Sequence, residues 1–545
     1  MGGQDDIIDG RDERAASDES RRSGRAGPRE WAGLALLALP TVLLGLDLTV
    51  LHLALPALAA DLRPTSTQAL WIMDAYGFMV AGFLVTMGTL GDRIGRRKLL
   101  MIGAVAFAVT SVAAAYAVNS EMLILARAAL GVAGATLMPS TLALIGVLFT
   151  NPRERALGFG IWATMFALGM ALGPIVGGLV LERFWWGAAF LVAVPITGLL
   201  LVLGPVLLPE YRAAHAGRLD LVSVALSLLA MLPAVYGLKR LGSDGVTAPA
   251  IGAAAVGVFF AILFVRRQRR LADPLLDMAL FRERAFAAAL AVLLFGLVAI
   301  GGTMLLVTQY LQLVVGLTPI VAGLWMGPPA LAMVLAGVTA PLLARRIRPG
   351  TVVSGALALS VVGYLVLARP VAEPASILVG FSFAYLGLGA IAALGTELVV
   401  GSAPADKAGS ASAMSETAQE LGVSLGIALL GSVATRVYRS AISDEATAGL
   451  TEGLASAVHD SLWSAISVAP RLPEGVIAEA RIAFADGFAS AALLSAAGVA
   501  ILAALAAVAL RHVESPSKAG EPKDAGAACA SQSPAGTRAP VDGAH

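Results

Sequence analysis

A carboxylate and a guanidinium stand inside stretches that are otherwise almost wholly apolar: Asp47 in LLGLDLTVLHLALP and Arg127 in LILARAALGVAGA. Insertion scales put an aspartate near the centre of a membrane helix at about 2.5–3.5 kcal/mol, so an acid kept there usually faces a cavity and marks a proton or ion path. Asp47 lies about thirteen residues into its run, roughly 20 Å along a helix. Arg127 sits about five residues into a run returning from the opposite face and should reach a similar depth. The two could pair. Burial favours the neutral carboxylic acid and a neighbouring arginine favours the carboxylate, so an acid whose distance to arginine changes between conformations can load and release a proton. A fixed structural ion pair is the alternative. His52, five residues past Asp47, could relay protons, but that spacing is off-face and a packing histidine is the stronger reading.

Further acids lie at or near membrane depth: Asp74, Glu397, Glu416 and Glu420, the last two four apart and so on one helix face. Carboxylates beside aromatics such as Trp71, Tyr76 and Trp325 suit lipophilic cations, which cost less to hold when their charge is neutralised and a ring supplies cation-π attraction. For each acid alone, a solvated interfacial carboxylate is the competing reading. No GxxxxGK[ST] loop and no HExxH spacing occurs, and the sole cysteine, Cys529, lies in a polar tail. No cofactor, no metal and no ATP are therefore expected, and the energy source must be a gradient. One proton crossing the membrane potential supplies about 2.3 kcal/mol per 100 mV.

The elements that position these residues follow from composition. With 545 residues, 58% hydrophobic and 14% charged, the chain has more apolar surface than a soluble core of this size buries. Ala/Leu/Gly-rich runs of about twenty residues recur, each long enough to cross roughly 30 Å of hydrocarbon as a helix. They predict an all-α integral membrane protein with fourteen spans at about 33–60, 69–91, 99–118, 122–149, 157–181, 187–208, 220–239, 248–266, 286–313, 319–344, 351–369, 375–400, 411–436 and 485–511. With the amino terminus inside, cytoplasmic loops carry eighteen Lys and Arg, while the short loops of the other face carry five (Arg63, Arg183, Lys239, Arg240 and Arg369), placing both termini in the cytoplasm. Residues 1–30 mix charges without an apolar stretch and do not read as a secretory signal. They and the Pro- and charge-rich tail 512–545 read as disordered. The net charge of +1 argues against nucleic acid as a partner.

The segment GTLGDRIGRRKLL from Gly88 has a degenerate copy, PLLARRIRPGTVV, from Pro341. Aligning them makes spans nine to fourteen the counterpart of one to six. The expected division is a six-helix half at 31–219, two inserted helices and a linker at 220–285, and a second six-helix half at 286–511. That last half includes a long outer loop, 437–484, read either as an interfacial hairpin or as a solvated loop.

Taken with LDLTVLHLALP, WIMDAYGFMVAG, LILARAALGVAGA, ALGMALGPIVGG and SETAQELG in this order, GTLGDRIGRR resembles the signature motifs of the major facilitator superfamily, and specifically its fourteen-helix drug:proton antiporter branch. The resemblance covers about 31–511. It implies that Asp47 and Arg127 are the proton-coupling pair. It implies that Gly88, Gly91, Asp92, Arg93, Gly95, Arg96 and Arg97 form a conformational latch, with Asp92 meeting a helix end of the other half. A purely topogenic arginine cluster is the alternative. Gly169, Gly173, Pro174, Gly177 and Gly178 resemble the antiporter motif that marks exporters, although their spacing alone reads as close helix packing. The resemblance favours Asp74 and Glu416 among the substrate-binding candidates, which also include Tyr76, Glu420, Trp71 and Trp325. No acid lies in 319–344 where some relatives carry one, which speaks against divalent-cation substrates.

The expected function is proton-coupled efflux of lipophilic or cationic compounds across a bacterial cytoplasmic membrane, by a monomer whose partners are lipid, substrate and protons. The alternatives are an exporter dedicated to one endogenous natural product, a non-transporting receptor or scaffold, and a membrane enzyme. The last lacks any nucleophile-base or metal constellation.

Overall fold

The computed structural model describes residues 26–212, 220–243, 245, 247–271, 274–369, 373–403 and 408–511. The tails read as disordered fall outside this set, apart from 26–30, as do Arg218, Lys407 and Cys529. Fourteen helices are long and apolar enough to cross a membrane, and no strand occurs among the described residues. They are α1 (Pro28–Leu62), α2 (Ser66–Ile94), α3 (Arg96–Ala115), α4 (Ser120–Leu148), α5 (Pro152–Arg183), α6 (Ala188–Leu207) and α7 (Leu221–Ser243). They continue with α8 (Ala248–Gln268), α9 (Arg284–Gln309), α10 (Pro319–Ala344), α11 (Pro349–Leu367), α12 (Pro374–Gly401), α13 (Ala408–Ala441) and α14 (Val476–Ala509).

Short polar breaks make sharp boundaries because their residues satisfy the free helix ends. Thr65 and Gln68 form a capping box at the start of α2, and Asn119 Oδ1 accepts from Met122 N at 2.8 Å at the start of α4. Proline opens α1, α10, α11 and α12, where its missing N–H costs nothing. Gly95, at φ +113°, makes the turn between α2 and α3.

Two expectations needed correction. α14 begins at Val476, nine residues before the sequence boundary, because Ala480, Ala483 and Phe484 are buried while Arg481 between them is exposed, its Nε donating to Leu313 O at 3.0 Å. Lys239 and Arg240 are not loop residues: α7 runs past them to Ser243, and Lys239 is 1% exposed.

Helix pairing repeats. α1 packs on α5, α2 on α4, α3 on α4 and α6, and α1 on α6; α9 packs on α13, α10 on α12, α11 on α12 and α14, and α9 on α14. The halves meet along two equivalent seams, α2 with α13 and α5 with α10. The second is made mainly by the first two turns of α10, Pro319–Trp325, so there the halves are joined on the face opposite the amino terminus. α7 lies over the α2/α13 seam and touches both halves, with α8 packed on its back.

The segment 444–471 is a folded piece rather than an open loop. Short helices Asp444–Thr447, Glu452–Asp460 and Leu462–Ser467 pack with Leu462 and Ala465 buried, and Tyr438 Oη donates to Val458 O at 2.7 Å. Asp460 ties the halves: it accepts from Ser66 Oγ, the first residue of α2, at 2.9 Å and pairs with Arg439 of α13 at 3.1 Å.

Candidate functional site

Asp47 lies near the middle of the 35-residue α1, and Arg127 lies two turns into α4. Arg127 Nη1 meets Asp47 Oδ2 at 2.7 Å. The arginine is 2% exposed and the aspartate side chain 12%, so the carboxylate keeps the more open side of the pair. The guanidinium is held on every side: Nε donates to Ile72 O of α2 at 3.2 Å, the Tyr76 ring centroid lies 4.7 Å away and the Phe190 ring 5.9 Å. A guanidinium fixed in this way presents a constant charge against which one carboxylate can exchange a proton for a cation. His52 is buried, with neither ring nitrogen hydrogen-bonded among the described residues.

The glycines of α5 explain how α1 is held. A side chain on Gly169 would strike the Val42 carbonyl of α1, one on Gly173 would strike Thr49 Oγ1, and one on Gly177 would press on Val50. Three residues spaced by four thus seat α5 on the turns of α1 that flank Asp47. Gly178 instead meets Pro319 and Ile320 of α10, and Gly323 of α10 lies against the Pro174 carbonyl. The five-residue motif therefore joins the Asp47 helix within one half to the seam with the other half.

The segment from Gly88 to Arg97 stays within its own half. Asp92 Oδ1 pairs with Arg96 Nη2 at 2.7 Å, Arg96 also reaches Pro139 O at 3.5 Å, and the Arg96 side chain and Leu99 pack against Gly91. Arg97 N donates to Glu210 Oε1 at 3.1 Å and Arg97 Nη1 to Leu208 O at 2.9 Å, while Arg93 is exposed. Gly88 faces Pro139, and a side chain on Gly95 would collide with Glu210. The ion pair of Asp92 is with its neighbour rather than with a helix end across the interface.

The remaining candidates divide into three places. Trp71 and Asp74 face α7, where Phe78, Val235 and Ala428 form a small apolar cluster sealing the α2/α13 seam. Asp74 Oδ2 lies 2.9 Å from Lys239 Nζ, both side chains are fully enclosed, and the ammonium sits 3.9 Å from the Trp71 ring centroid. Tyr76, on the other side of α2, belongs to the Arg127 cluster, and Glu420 of α13 lies within electrostatic reach of both Tyr76 and Asp47. Glu420 is 7% exposed, its Oε2 has no hydrogen-bond partner among the described residues, and Glu416 lies within its electrostatic reach. Neither glutamate has an ion-pair partner among the described residues. Trp325 sits at the other seam, at the end of the first turns of α10, and Glu397 is exposed.

Sequence reasoning missed Lys239. Its signal was present, since it follows Val235 by one helical turn at the end of an unbroken apolar run, so the two share a face. No group of three or more His, Cys, Asp or Glu able to hold a metal occurs among the described residues.

Comparison with known proteins places this architecture. The family model for the Major Facilitator Superfamily matches residues 37–427. The multidrug efflux pump LfrA of Mycolicibacterium smegmatis is 45% identical over 494 residues, 90% of this chain and 98% of that one. The methyl viologen resistance protein SmvA of Salmonella typhimurium is 34% identical over 88% of this chain and 97% of its own. Among solved structures, a bacterial homologue of the human lysosomal transporter Spinster, inward-facing and unoccupied, superposes with a TM-score of 0.61 at 15% identity, over 90% of this chain and 98% of that one.

Proposed function

The chain belongs to the major facilitator superfamily, and we propose that it is a drug exporter of that superfamily which expels lipophilic cations across the bacterial plasma membrane in exchange for protons. It is a transporter and not an enzyme, and its fourteen membrane-crossing helices make it a multi-pass membrane protein. The observation that carries the coupling is the Asp47–Arg127 pair at 2.7 Å, deep in the membrane and partly open on the carboxylate side.

Protonation of Asp47 cancels its attraction to Arg127 and frees α1 to shift; deprotonation restores the pair. Because α5 is seated on α1 by glycine contacts and reaches α10 through Gly178, a shift at Asp47 is felt at the seam between the halves. Glu416 and Glu420, which lack a cation among the described residues, stand on the opposing half as the groups that would attract a cationic substrate. With substrate neutralising them on one half and a proton neutralising Asp47 on the other, the two loads compete electrostatically, which is what antiport requires.

The proposed orientation has both termini in the cytoplasm. With Lys239 and Arg240 removed from the loops, the short loops of the opposite face keep only Arg63, Arg183 and Arg369, which strengthens the charge bias. In that orientation the Ser66–Asp460–Arg439 cluster ties the halves together at the outer face.

The test is ethidium efflux from energised cells expressing the wild-type chain or Asp47→Asn, with and without an uncoupler. Asparagine keeps the shape but cannot titrate. Efflux that collapses with the uncoupler and with Asp47→Asn supports the reading. Wild-type cells that hold verified protein yet retain ethidium like the empty vector would remove broad cation export and leave a dedicated natural-product exporter as the better description.

A further inference from the structure

Three features meet at Lys239. It is the buried cation of α7, its ammonium lies 2.9 Å from Asp74 and 3.9 Å from the Trp71 ring, and both members of the ion pair are sealed from solvent. A carboxylate and an indole face at these distances are the two components of a site for an organic ammonium: one neutralises the charge, the other attracts it through its quadrupole, and both gain strength when dry. An ion pair is not needed to fasten α7 here, since apolar side chains of similar volume hold a buried contact at least as well. α7 already has that fastening in Val235, Met231 and Leu232 packed with Phe78 and Ala428.

We propose that Trp71 and Asp74 form an ammonium-binding site whose resident occupant is the Lys239 side chain, so that the inserted helix α7 determines cation specificity by denying Asp74 to the transported compound. Asp74 is then a filled site, and a transported cation goes to Glu416 and Glu420. This rests on the proposed export of cations only for its consequence; the site itself is tested by binding alone.

The experiment uses purified full-length protein in detergent and n-butylammonium, whose four carbons and ammonium are those of the lysine side chain. Unfolding temperature is followed against n-butylammonium and against n-butanol, its neutral counterpart, for wild type, Lys239→Ala and Asp74→Asn/Lys239→Ala. A ligand that binds only the folded state raises the transition with a saturating dependence on concentration. Lys239→Ala is expected to gain several degrees more with n-butylammonium than wild type or the double variant does, and no more than they do with n-butanol. Equal gains in all three proteins, a gain with n-butanol of the same size, or none in Lys239→Ala would overturn the proposal. If Lys239→Ala is recovered only as aggregate, extraction in n-butylammonium must return monodisperse protein where n-butanol does not; failure of that rescue also overturns it.

Discussion

Arg127 reaches two neighbouring helices at once: Nη1 meets Asp47 Oδ2 of α1 at 2.7 Å while Nε donates to Ile72 O of α2 at 3.2 Å. The guanidinium is tied to a backbone group that does not titrate, so the Asp47 contact is the one that protonation can release. Lysine, a point charge with no planar fork, cannot hold both contacts in this geometry.

Arg127→Lys is therefore expected to keep the protein folded but to lower gradient-driven efflux by about tenfold or more, an energetic loss of roughly 1.4 kcal/mol. Arg127→Ala leaves a buried carboxylate without its partner and should cost about 3–5 kcal/mol of stability as well. Transport in proteoliposomes and unfolding temperature, measured on the same preparations, separate the two effects. Arg127→Lys transporting at the wild-type rate would show that the fork is not needed.

The two glutamates of α13 predict a split by substrate charge. Glu416→Gln and Glu420→Gln should weaken efflux of cationic dyes while sparing neutral lipophilic substrates, because an amide still fills the space but supplies no charge. Competition assays with a cationic and a neutral substrate of similar size read this directly. Equal losses for both substrates would place these residues in packing rather than in recognition.

Glycine positions along α5 should differ sharply. Gly169→Ala drives a methyl group into the Val42 carbonyl of α1 and is expected to destabilise by about 1–3 kcal/mol, with a matching loss of active protein. At Gly160 no atom lies within 4 Å of an added methyl, so Gly160→Ala should be neutral or slightly stabilising. Thermal unfolding of the two variants checks the contrast, and similar behaviour would contradict the packing described.

Ser66 and Asp460 belong to different halves and are hydrogen-bonded at 2.9 Å on the closed face. In a Cys529→Ser background, the pair Ser66→Cys with Asp460→Cys should cross-link under oxidation and stop transport, and reduction should restore it. Alternating access requires this face to open. Full transport by the cross-linked protein would mean that opening there is not part of the cycle.

Much of this protein is written in its composition. Fourteen apolar runs became fourteen helices with ends mostly within a few residues, because backbone groups in lipid must be satisfied inside each segment and polar caps mark where that segment stops. Asp47 and Arg127 were legible for a related reason: a charge in an apolar run stands out, and helical rise gives its depth. The start of α14 was not legible, since Glu479, Arg481 and Asp486 lower the average of a window while leaving the buried face intact.

Tertiary structure alone decided the partners. By sequence Lys239 is a topogenic loop charge; in the structure α7 lies across the α2/α13 seam and brings residues 74 and 239 to 2.9 Å although 165 positions separate them. The same holds for Ser66 and Asp460, and for the division of the α5 glycines between α1 and α10. Hydropathy is a property of each residue and survives averaging along the chain. A pairing across helices depends on which faces meet, and that is settled only when all fourteen pack.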